Sequence, residues 1–235
     1  MSEHRLTSGL GTSRTGVLAV CVVAVIAVAW SLTMPDSDRD GVLALRTAVR
    51  IEALGCSARP QLGVGNVVAD GIVATVAHVV AGADSITATL SDGTVVAATV
   101  VAIDRETDVA LLRIDTDVPP LGLGSPPESG DGTYAVWREG QPVTMEAYIV
   151  RRTGINAPTV DGDRKVERQG MQLRATVVNG DSGSIVVSGG RAVGVVFARS
   201  TDDDTRAWAT DVVELRPLLD SLAADPAPVD VGACK

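Results

Sequence analysis

Short apolar runs rich in Val, Ala and Ile recur along the chain and are separated by clusters of Gly, Asp, Ser and Pro. Runs of this length bounded by turn residues are typical of β-strands, and the absence of long helical patterns between them disfavours a parallel α/β sheet. About a dozen strands with frequent turn signals predict an all-β sandwich or barrel. The predicted strands are 48–53, 62–69, 72–76, 85–90, 94–103, 108–114, 133–137, 142–150, 171–178, 184–188, 191–198 and 206–210.

A segment rich in Pro, Gly and Ser at 119–132 divides these strands into two groups of about six. We interpret it as the crossover between two six-stranded antiparallel β-barrels, one over 48–120 and the other over 133–210. Pro217 suits the first turn of a short C-terminal helix, since a proline there lacks only an N–H that the helix does not use. The tail at 223–235 is expected to be irregular.

The apolar run 17–34 carries no charge and, as a helix, would span about 27 Å. Basic residues precede it and acidic residues follow it, so residues 1–16 are predicted to be a cytoplasmic leader before a transmembrane helix. An Ala-x-Ala motif ending at Ala29 leaves a cleaved signal peptide open, and a buried core helix is a third interpretation. The transmembrane helix and the signal peptide both place the rest of the chain, which begins with a polar linker at 35–47, outside the cytoplasm, in the periplasm or the medium.

Composition excludes several classes of function. Apolar residues make up 46% of the chain, enough for a packed core, but aromatic residues only 3%, so small β-branched side chains must fill that core. With 29 acidic and 20 basic residues, the net charge of −9 offers no basic field for nucleic acid. The two histidines and three cysteines form no CxxC pair, so neither a metal site nor a cofactor is expected.

Three segments carry candidate chemistry: TVAHVV around His78, DVALLRI beginning at Asp108, and NGDSGS around Ser182. A serine hydroxyl becomes nucleophilic when an imidazole takes its proton and a carboxylate orients that imidazole. The backbone N–H groups of Gly180 and Ser182 can converge on an oxyanion. Taken alone, TVAHVV is typical of a helical turn with a core histidine, DVALLRI of an ordinary strand, and NGDSGS of a β-turn. Their order, and their division between the two predicted barrels, make the combination specific.

These segments resemble the motifs of the trypsin-like (chymotrypsin-fold) serine proteases. The resemblance covers 48–222 and is strongest to the HtrA-type branch without a PDZ domain and to actinobacterial membrane-anchored periplasmic proteases of the MarP type. The matching segments are GVGNVV (63–68), TVAHV (75–79), DRETDVALL (104–112) and GDSGS (180–184).

The resemblance implies a serine endopeptidase that acts on proteins or peptides through an acyl-enzyme. It assigns Ser182 as the nucleophile, His78 as the general base and acid, Asp108 as the orienting carboxylate, and Gly180 with Ser182 as the oxyanion hole. Asp104 is the nearest rival to Asp108, but the apolar strand that follows Asp108 matches the family motif.

The resemblance also places a primary substrate pocket in the second barrel. None of its expected lining residues is charged, which favours a small or medium apolar side chain on the substrate. These residues are Thr176, Val196, Phe197 and Ala198.

Two departures from the family pattern carry predictions. Ser184 replaces the usual second glycine after the nucleophile and is expected to crowd the site slightly. No activation site precedes the barrels, so no freed N-terminus is expected to pair with Asp181. We expect a buried carboxylate there to be held by backbone N–H groups or by an arginine of the second barrel. The candidate arginines are Arg138, Arg151 and Arg152.

A disulfide between Cys56 and Cys234 is expected outside the cytoplasm, since Cys21 lies within the apolar run. The resemblance points the same way, because the actinobacterial relatives have one cysteine at the barrel entry and one in a Gly-Ala-Cys tail. Two unpaired thiols are the alternative.

Two other functions remain open. One is a catalytically inactive protease fold that binds or scaffolds at the cell envelope, and the other is an anchored β-sandwich adhesion domain. Labelling by a fluorophosphonate, which needs an activated serine, separates both from a protease.

Overall fold

A computed structural model describes residues 35–55 and 59–232 of the 235-residue chain. The leader 1–16, the apolar run 17–34 and both cysteines of the expected disulfide lie outside these ranges. Within them, no helix has the length and apolar character needed to cross a membrane.

The first six strands form a closed antiparallel barrel in the order β1-β2-β3-β6-β5-β4. A short helix, α2 (Ala77–Val80), follows β3. The strands are β1 (Ala48–Gly55), β2 (Gln61–Ala69), β3 (Ile72–Thr75), β4 (Ala83–Leu90), β5 (Val95–Asp104) and β6 (Val109–Arg113).

The other six strands form a second antiparallel sheet in the order β10-β11-β12-β9-β8-β7, which closes through the pair Thr133–Val187. Val, Ala, Leu and Ile dominate the buried residues of both sheets, as the shortage of aromatic residues requires. The strands are β7 (Gly130–Arg138), β8 (Gln141–Pro158), β9 (Lys165–Arg174), β10 (Ile185–Ser188), β11 (Arg191–Arg199) and β12 (Arg206–Asp211).

All twelve expected strands are present, but the bounds of β8 and β9 differ from the prediction, since 142–150 ends too early and 171–178 begins too late and runs past Arg174, where β9 ends. β8 continues to Pro158 and β9 begins at Lys165, and the two are paired from Gly154–Gln169 out to Pro158–Lys165. Its outer part has one face that is at least partly buried, with Ile155 and Ala157 on β8 and Val166 and Arg168 on β9, and the residues between them are exposed. The buried face includes a charged residue, and Gly154 and Pro158 resemble turn residues, so the apolar pattern in the sequence is weak there.

The expected linker at 35–47 is wrong, because the structure forms a helix there, α1 (Asp36–Thr47). The helix packs on the second barrel through small residues. A Cβ built on Gly41 would lie only 3.4 Å from Cγ2 of Thr144 on β8, and Ala44 is fully buried. Gly41 thus permits close packing of the helix on β8.

Asp40 fixes this helix to the second barrel. Its carboxylate is almost fully buried and accepts hydrogen bonds from the backbone N–H groups of Gly189 (3.0 Å) and Gly190 (2.7 Å) in the β10–β11 turn. A polar segment can therefore lie against the core, because its buried charge has two donors.

The chain ends in a 3₁₀ turn (Val212–Glu214) and the expected short helix, α3 (Arg216–Asp220), with Pro217 in its first turn. The tail beyond is irregular, as expected, but it is fastened to the first barrel. The N–H of Val229 donates to the carbonyl of Val100, and the N–H of Gly82 donates to the carbonyl of Val231, both at 2.9 Å.

Candidate active site

His78 lies on α2, directly after β3. Its neighbours Ala77, Val79 and Val80 are buried and anchor the helix in the first barrel. The imidazole of His78 points outward, with its side chain 36% exposed. The apolar neighbours thus hold the backbone while the ring stays accessible to a substrate.

Asp108 holds His78 with two hydrogen bonds, one to its backbone and one to its ring. The backbone N–H of His78 donates to Oδ1 of Asp108 (2.9 Å), and Nδ1 of His78 lies 2.8 Å from Oδ2. The carboxylate is only 7% exposed. Because an ionised carboxylate only accepts hydrogen bonds, Nδ1 carries the ring proton, and Nε2 of the neutral imidazole is left as a base.

Asp104 has a different role. Its carboxylate accepts hydrogen bonds from the backbone N–H groups of Glu106 (2.8 Å) and Thr107 (3.3 Å) and from the hydroxyl of Thr107 (2.7 Å). Asp104 therefore shapes the loop between β5 and β6, whereas Asp108 at its end reaches His78.

Ser182 lies where the two barrels meet. Its carbonyl accepts a hydrogen bond from the N–H of Val64 on β2 (2.8 Å), and the N–H of the next residue, Gly183, donates to the carbonyl of Val196 on β11 (2.7 Å). A Cβ built on Gly63 would lie 2.9 Å from Val79, the neighbour of His78, and 3.0 Å from the Ser182 carbonyl oxygen. Ser182 and α2 therefore sit side by side against one point of β2.

The turn before Ser182 has the geometry of a type II turn. The N–H of Asp181 donates to the carbonyl of Val178 (3.1 Å), and Gly180 has a φ of 94° at the third position. Such a turn needs a positive φ there, which glycine supplies without strain. The same segment contains both N–H groups that the sequence suggested as an oxyanion hole, those of Gly180 and Ser182.

Ser184 does not crowd the nucleophile. Its side chain is fully buried, and its hydroxyl donates to the carbonyl of Ala135 on β7 (2.9 Å). The expected crowding is therefore wrong, because the hydroxyl has its own acceptor in the second barrel. Gly183 is the residue that must stay small, since a Cβ there would overlap the Val64 carbonyl and the Thr75 hydroxyl.

Asp181 is paired with Arg138, one of the three arginines proposed from the sequence. The carboxylate is 1% exposed and accepts a bidentate pair from Arg138 (2.6 and 2.7 Å) and the N–H of Val178 (2.9 Å). Hydrogen bonding to Asp181 raises the pKa of Arg138. Arg152 pairs instead with Asp211 (2.9 Å). The charge beside the nucleophile is thus fixed from within the second barrel.

The residues of the expected substrate pocket do not share one cavity. Thr176 lines a cavity of about 640 Å³, whereas Phe197 and Ala198 line another of about 470 Å³ together with Trp208. Val196 is buried in the second barrel, because alternation along β11 points it inward.

A smaller cavity of about 220 Å³ adjoins the type II turn and was not foreseen from the sequence. Leu62 and Trp137 line it opposite Asn179 and Gly180. The GVGNVV motif pointed to β2 in general, but no pattern in the sequence indicated that Trp137 comes to the same place.

Tyr134 stabilises the segment that precedes the type II turn. Its hydroxyl donates to the carbonyl of Thr176 (2.8 Å), and its side chain is fully buried. Burial, with a smaller contribution from the charge of Asp181, raises the pKa of Tyr134 to about 12. The phenol therefore stays neutral and remains a donor over the whole physiological pH range.

Comparison with known proteins agrees with this geometry. A family model described as "Trypsin-like peptidase domain" matches residues 63–195. The chain belongs to the trypsin-like peptidase family. The serine protease Rv3671c of Mycobacterium tuberculosis is 31% identical over 195 residues, covering 80% of this chain and 49% of that protein. A probable periplasmic serine endoprotease, DegP-like, of Halomonas elongata is 34% identical over 148 residues, covering 60% of this chain and 31% of that protein.

Solved structures give the same family. The active form of the M. tuberculosis Rv3671c protease superposes with a TM-score of 0.73 at 29% identity, covering 82% of this chain and 87% of that one. Its inactive form gives a TM-score of 0.64 at 28% identity, covering 78% and 92%. The expected trypsin-like, chymotrypsin-type fold is thereby confirmed. This trypsin-like peptidase chain spans about half the length of the curated relatives first matched.

Proposed function

We propose that the protein is an extracytoplasmic serine endopeptidase that hydrolyses peptide bonds through an acyl-enzyme. The observation that carries the proposal is the pair of hydrogen bonds from His78 to Asp108, which leaves Nε2 of the ring free to accept a proton. Ser182 and Val79, the neighbour of His78, both lie against Gly63 on β2. The family relationship supports it, since the relatives are named serine proteases.

In the proposed reaction, Nε2 of His78 takes the proton of the Ser182 hydroxyl while Oγ attacks the substrate carbonyl carbon. The negative charge that develops on the carbonyl oxygen is stabilised by the N–H groups of Gly180 and Ser182. The imidazolium then gives its proton to the leaving amine, and the acyl-enzyme remains. A water molecule, deprotonated by His78, then attacks the acyl carbon, and the imidazolium returns the proton to Oγ of Ser182 as the acyl–oxygen bond breaks and the acid leaves.

Asp108 stabilises the imidazolium that forms in each half of this reaction. Its burial strengthens the interaction, because few water molecules screen the two charges. Arg138 and Asp181 hold the type II turn, and this supports a preformed oxyanion hole without a freed N-terminus. The higher TM-score with the active form of the mycobacterial protease is consistent with that arrangement.

We further propose that the run 17–34 anchors the chain in the membrane and that the barrels act on protein or peptide substrates outside the cytoplasm. The proposal rests on the length and charge pattern of this run. A phosphatase reporter fused after residue 235, which is active only outside the cytoplasm, tests it. An inactive reporter in folded, membrane-bound protein would contradict the topology.

Covalent labelling by a fluorophosphonate probe tests the catalytic assignment. The parent chain is expected to be labelled and to hydrolyse a peptide amide, and Ser182→Ala is expected to lose both properties. Ser184→Ala is the matched control, because it removes a neighbouring hydroxyl that bonds to Ala135. A folded parent chain that stays unlabelled would favour the inactive binding or scaffold protein.

A further inference from the structure

Arg168 is a buried cation without a direct ion-pair partner in the part of the chain that the structure describes. It lies on β9, is 3% exposed, and its Nε and NH1 are buried with no hydrogen-bond acceptor. Among the described residues these two atoms are the only buried side-chain nitrogens or oxygens without a partner. Burying an unpaired charge is costly, so its surroundings must compensate.

The first compensating group is the ring of Phe197 on β11. The guanidinium carbon of Arg168 lies 4.0 Å from the ring centroid, which is close enough for a cation–π contact. Phe197 lies at a shift in the pairing of β11 with β12, between Val196 and Ala198. The flat guanidinium therefore supports a ring at an irregular point of the strand.

The second compensation is electrostatic. Burial lowers the pKa of Arg168, and the carboxylates that oppose this are, in order, Asp108, Glu214 and Asp104. Glu214 already accepts from the N–H of Gln169 (2.8 Å), and Asp104 is engaged within its own loop. The loop that ends at Asp108 lies beside β9, because the hydroxyl of Thr210 donates to the carbonyl of Thr107 (3.4 Å), and Thr210 is paired with Gly170 on β9. The largest opposing effect on Arg168 comes from Asp108, the carboxylate that holds His78.

We propose that Arg168 is a positioning residue that moderates the negative charge of Asp108 and supports the ring of Phe197. This rests on the proposed function, because it assigns Arg168 a role in the protonation of the catalytic base. Arg168 touches neither His78 nor Ser182 through any contact described above. It acts through Asp108 on one side and through Phe197 on the other.

The direction of the effect follows from the charges. A nearby cation reduces the net negative charge that the imidazole of His78 meets, so protonation of that ring becomes less favourable. The carboxylates that interact electrostatically with Arg168 are Asp108, Glu214 and Asp104. The charged group hydrogen-bonded to the ring of His78 is Asp108.

The pH dependence of kcat/KM tests the proposal. Arg168→Met keeps most of the side-chain volume and removes the charge, and its acidic limb is expected to move to higher pH by about half a unit or more. Arg174→Met is the matched control, since Arg174 lies on the same strand over the ring of Tyr148 at 4.9 Å but is exposed. Superimposable profiles for Arg168→Met and the parent would overturn the proposal.

Phe197→Leu separates the two parts of the role. It removes the ring but keeps the charge, so KM is expected to rise while the acidic limb stays in place. Arg168→Met is expected both to raise KM and to move the acidic limb to higher pH. If Arg168→Met raises KM alone, Arg168 merely packs under the ring and the electrostatic role is excluded. Should Arg168→Met fail to fold, Arg168→Gln, which is also neutral, takes its place with the same expectations.

An NMR titration distinguishes failure of this inference from failure of the proposed function. In a His4→Gln, Ser182→Ala chain, His78 is the only histidine, so its imidazole signals can be followed without catalysis. Adding Arg168→Met is expected to move the pH at which these signals change upward. An unchanged titration would overturn the role of Arg168, whether or not the parent chain is a protease.

Discussion

Asp108 illustrates how one residue combines local strain with function. Its φ of 58° lies in the left-handed region, which few residues other than glycine adopt but which Asp tolerates. The two hydrogen bonds from His78 stabilise this conformation, and the apolar strand that follows fixes the backbone. The strained backbone is thus found where the carboxylate must turn toward the imidazole.

The two aspartates of this loop are expected to differ sharply on conversion to asparagine. Asp108→Asn favours the wrong tautomer of His78 and should lower kcat/KM by roughly 10⁴-fold. Asp104→Asn keeps an oxygen for the Thr107 N–H and should cost less than about tenfold. Steady-state kinetics on one peptide substrate compares them. A larger loss in Asp104→Asn would reverse the assignment of the orienting carboxylate.

Arg138→Met is expected to lower kcat by roughly 10²-fold, because the buried charge of Asp181 would lose its partner and the donors before Ser182 would shift. KM should change less, since Arg138 is not expected to bind the substrate. Kinetics with a thermal unfolding curve for each variant provide the measurement.

Arg152→Met is the matched control for that change. It breaks an ion pair to a carboxylate that is equally buried, Asp211, but one that caps the 3₁₀ turn and not the turn before Ser182. It should reduce thermal stability and leave kcat near the parent value. Equal losses of kcat in the two variants would mean that Arg138 acts only on stability.

The chemistry of the site was more predictable from the sequence than its pocket. The GDSG turn, His78 and the carboxylate of Asp181 could be recognised from the residues next to them in the sequence. For Asp181 the sequence suggested three arginines as partners, and Arg138 is the one that binds it. Thr176 and Phe197, by contrast, depend on how two strands and a loop are placed in three dimensions. Arg168 carried no sequence signal, since it resembles any arginine on a polar strand.

At the level of elements, ten of the twelve strands were predicted to within three residues at each end, because alternation records burial of one face; β8 and β9 are the exceptions. Helix α1 and the outer end of the β8–β9 hairpin were missed. In α1, the buried positions are small or polar, so no apolar stripe appears. Its contacts become understandable only once the turn that Asp40 binds is placed beside it.

Asp40→Ala tests that contact. It leaves the N–H groups of Gly189 and Gly190 without their charged acceptor, and we expect the free energy of unfolding to fall by about 2–3 kcal/mol. Asp38→Ala, at an exposed position of the same helix, should change it by less than about 1 kcal/mol. Urea unfolding followed by tryptophan fluorescence measures both. Equal effects would show that the helix is held by other contacts.

At the scale of the whole molecule, the two barrels are joined by the backbone around Ser182. The N–H of Val64 in the first barrel donates to Ser182, and the N–H of Gly183 donates to Val196 in the second. A shift of one barrel against the other would therefore be transmitted directly to the nucleophile. Contacts that fix the first barrel, such as those of the C-terminal tail, are relevant to catalysis for this reason.

The proposed disulfide between Cys56 and Cys234 belongs to that scale. Both cysteines lie outside the described residues, but Gly55 and Val231, which precede them in the chain, both contact residues 82–83. Gly55 is paired with Ala83, and the neighbouring Gly82 donates its N–H to Val231 near the end of the tail. Arg105 also donates to the Val231 carbonyl (2.8 Å).

Linking the cysteines would close a loop of about 180 residues and stabilise the fold by at most about 5 kcal/mol, through the lost entropy of the unfolded chain. We therefore expect Cys56→Ser and Cys234→Ser to lower the unfolding temperature equally, with no further loss in the double variant. Cys21→Ser, within the apolar run, should leave it unchanged. Alkylation of unreduced protein followed by intact-mass measurement detects the bond directly, because only Cys21 should react. Modification of all three thiols would rule the disulfide out, and the tail would then be held by non-covalent contacts, among them its hydrogen bonds to Gly82, Arg105 and Val100.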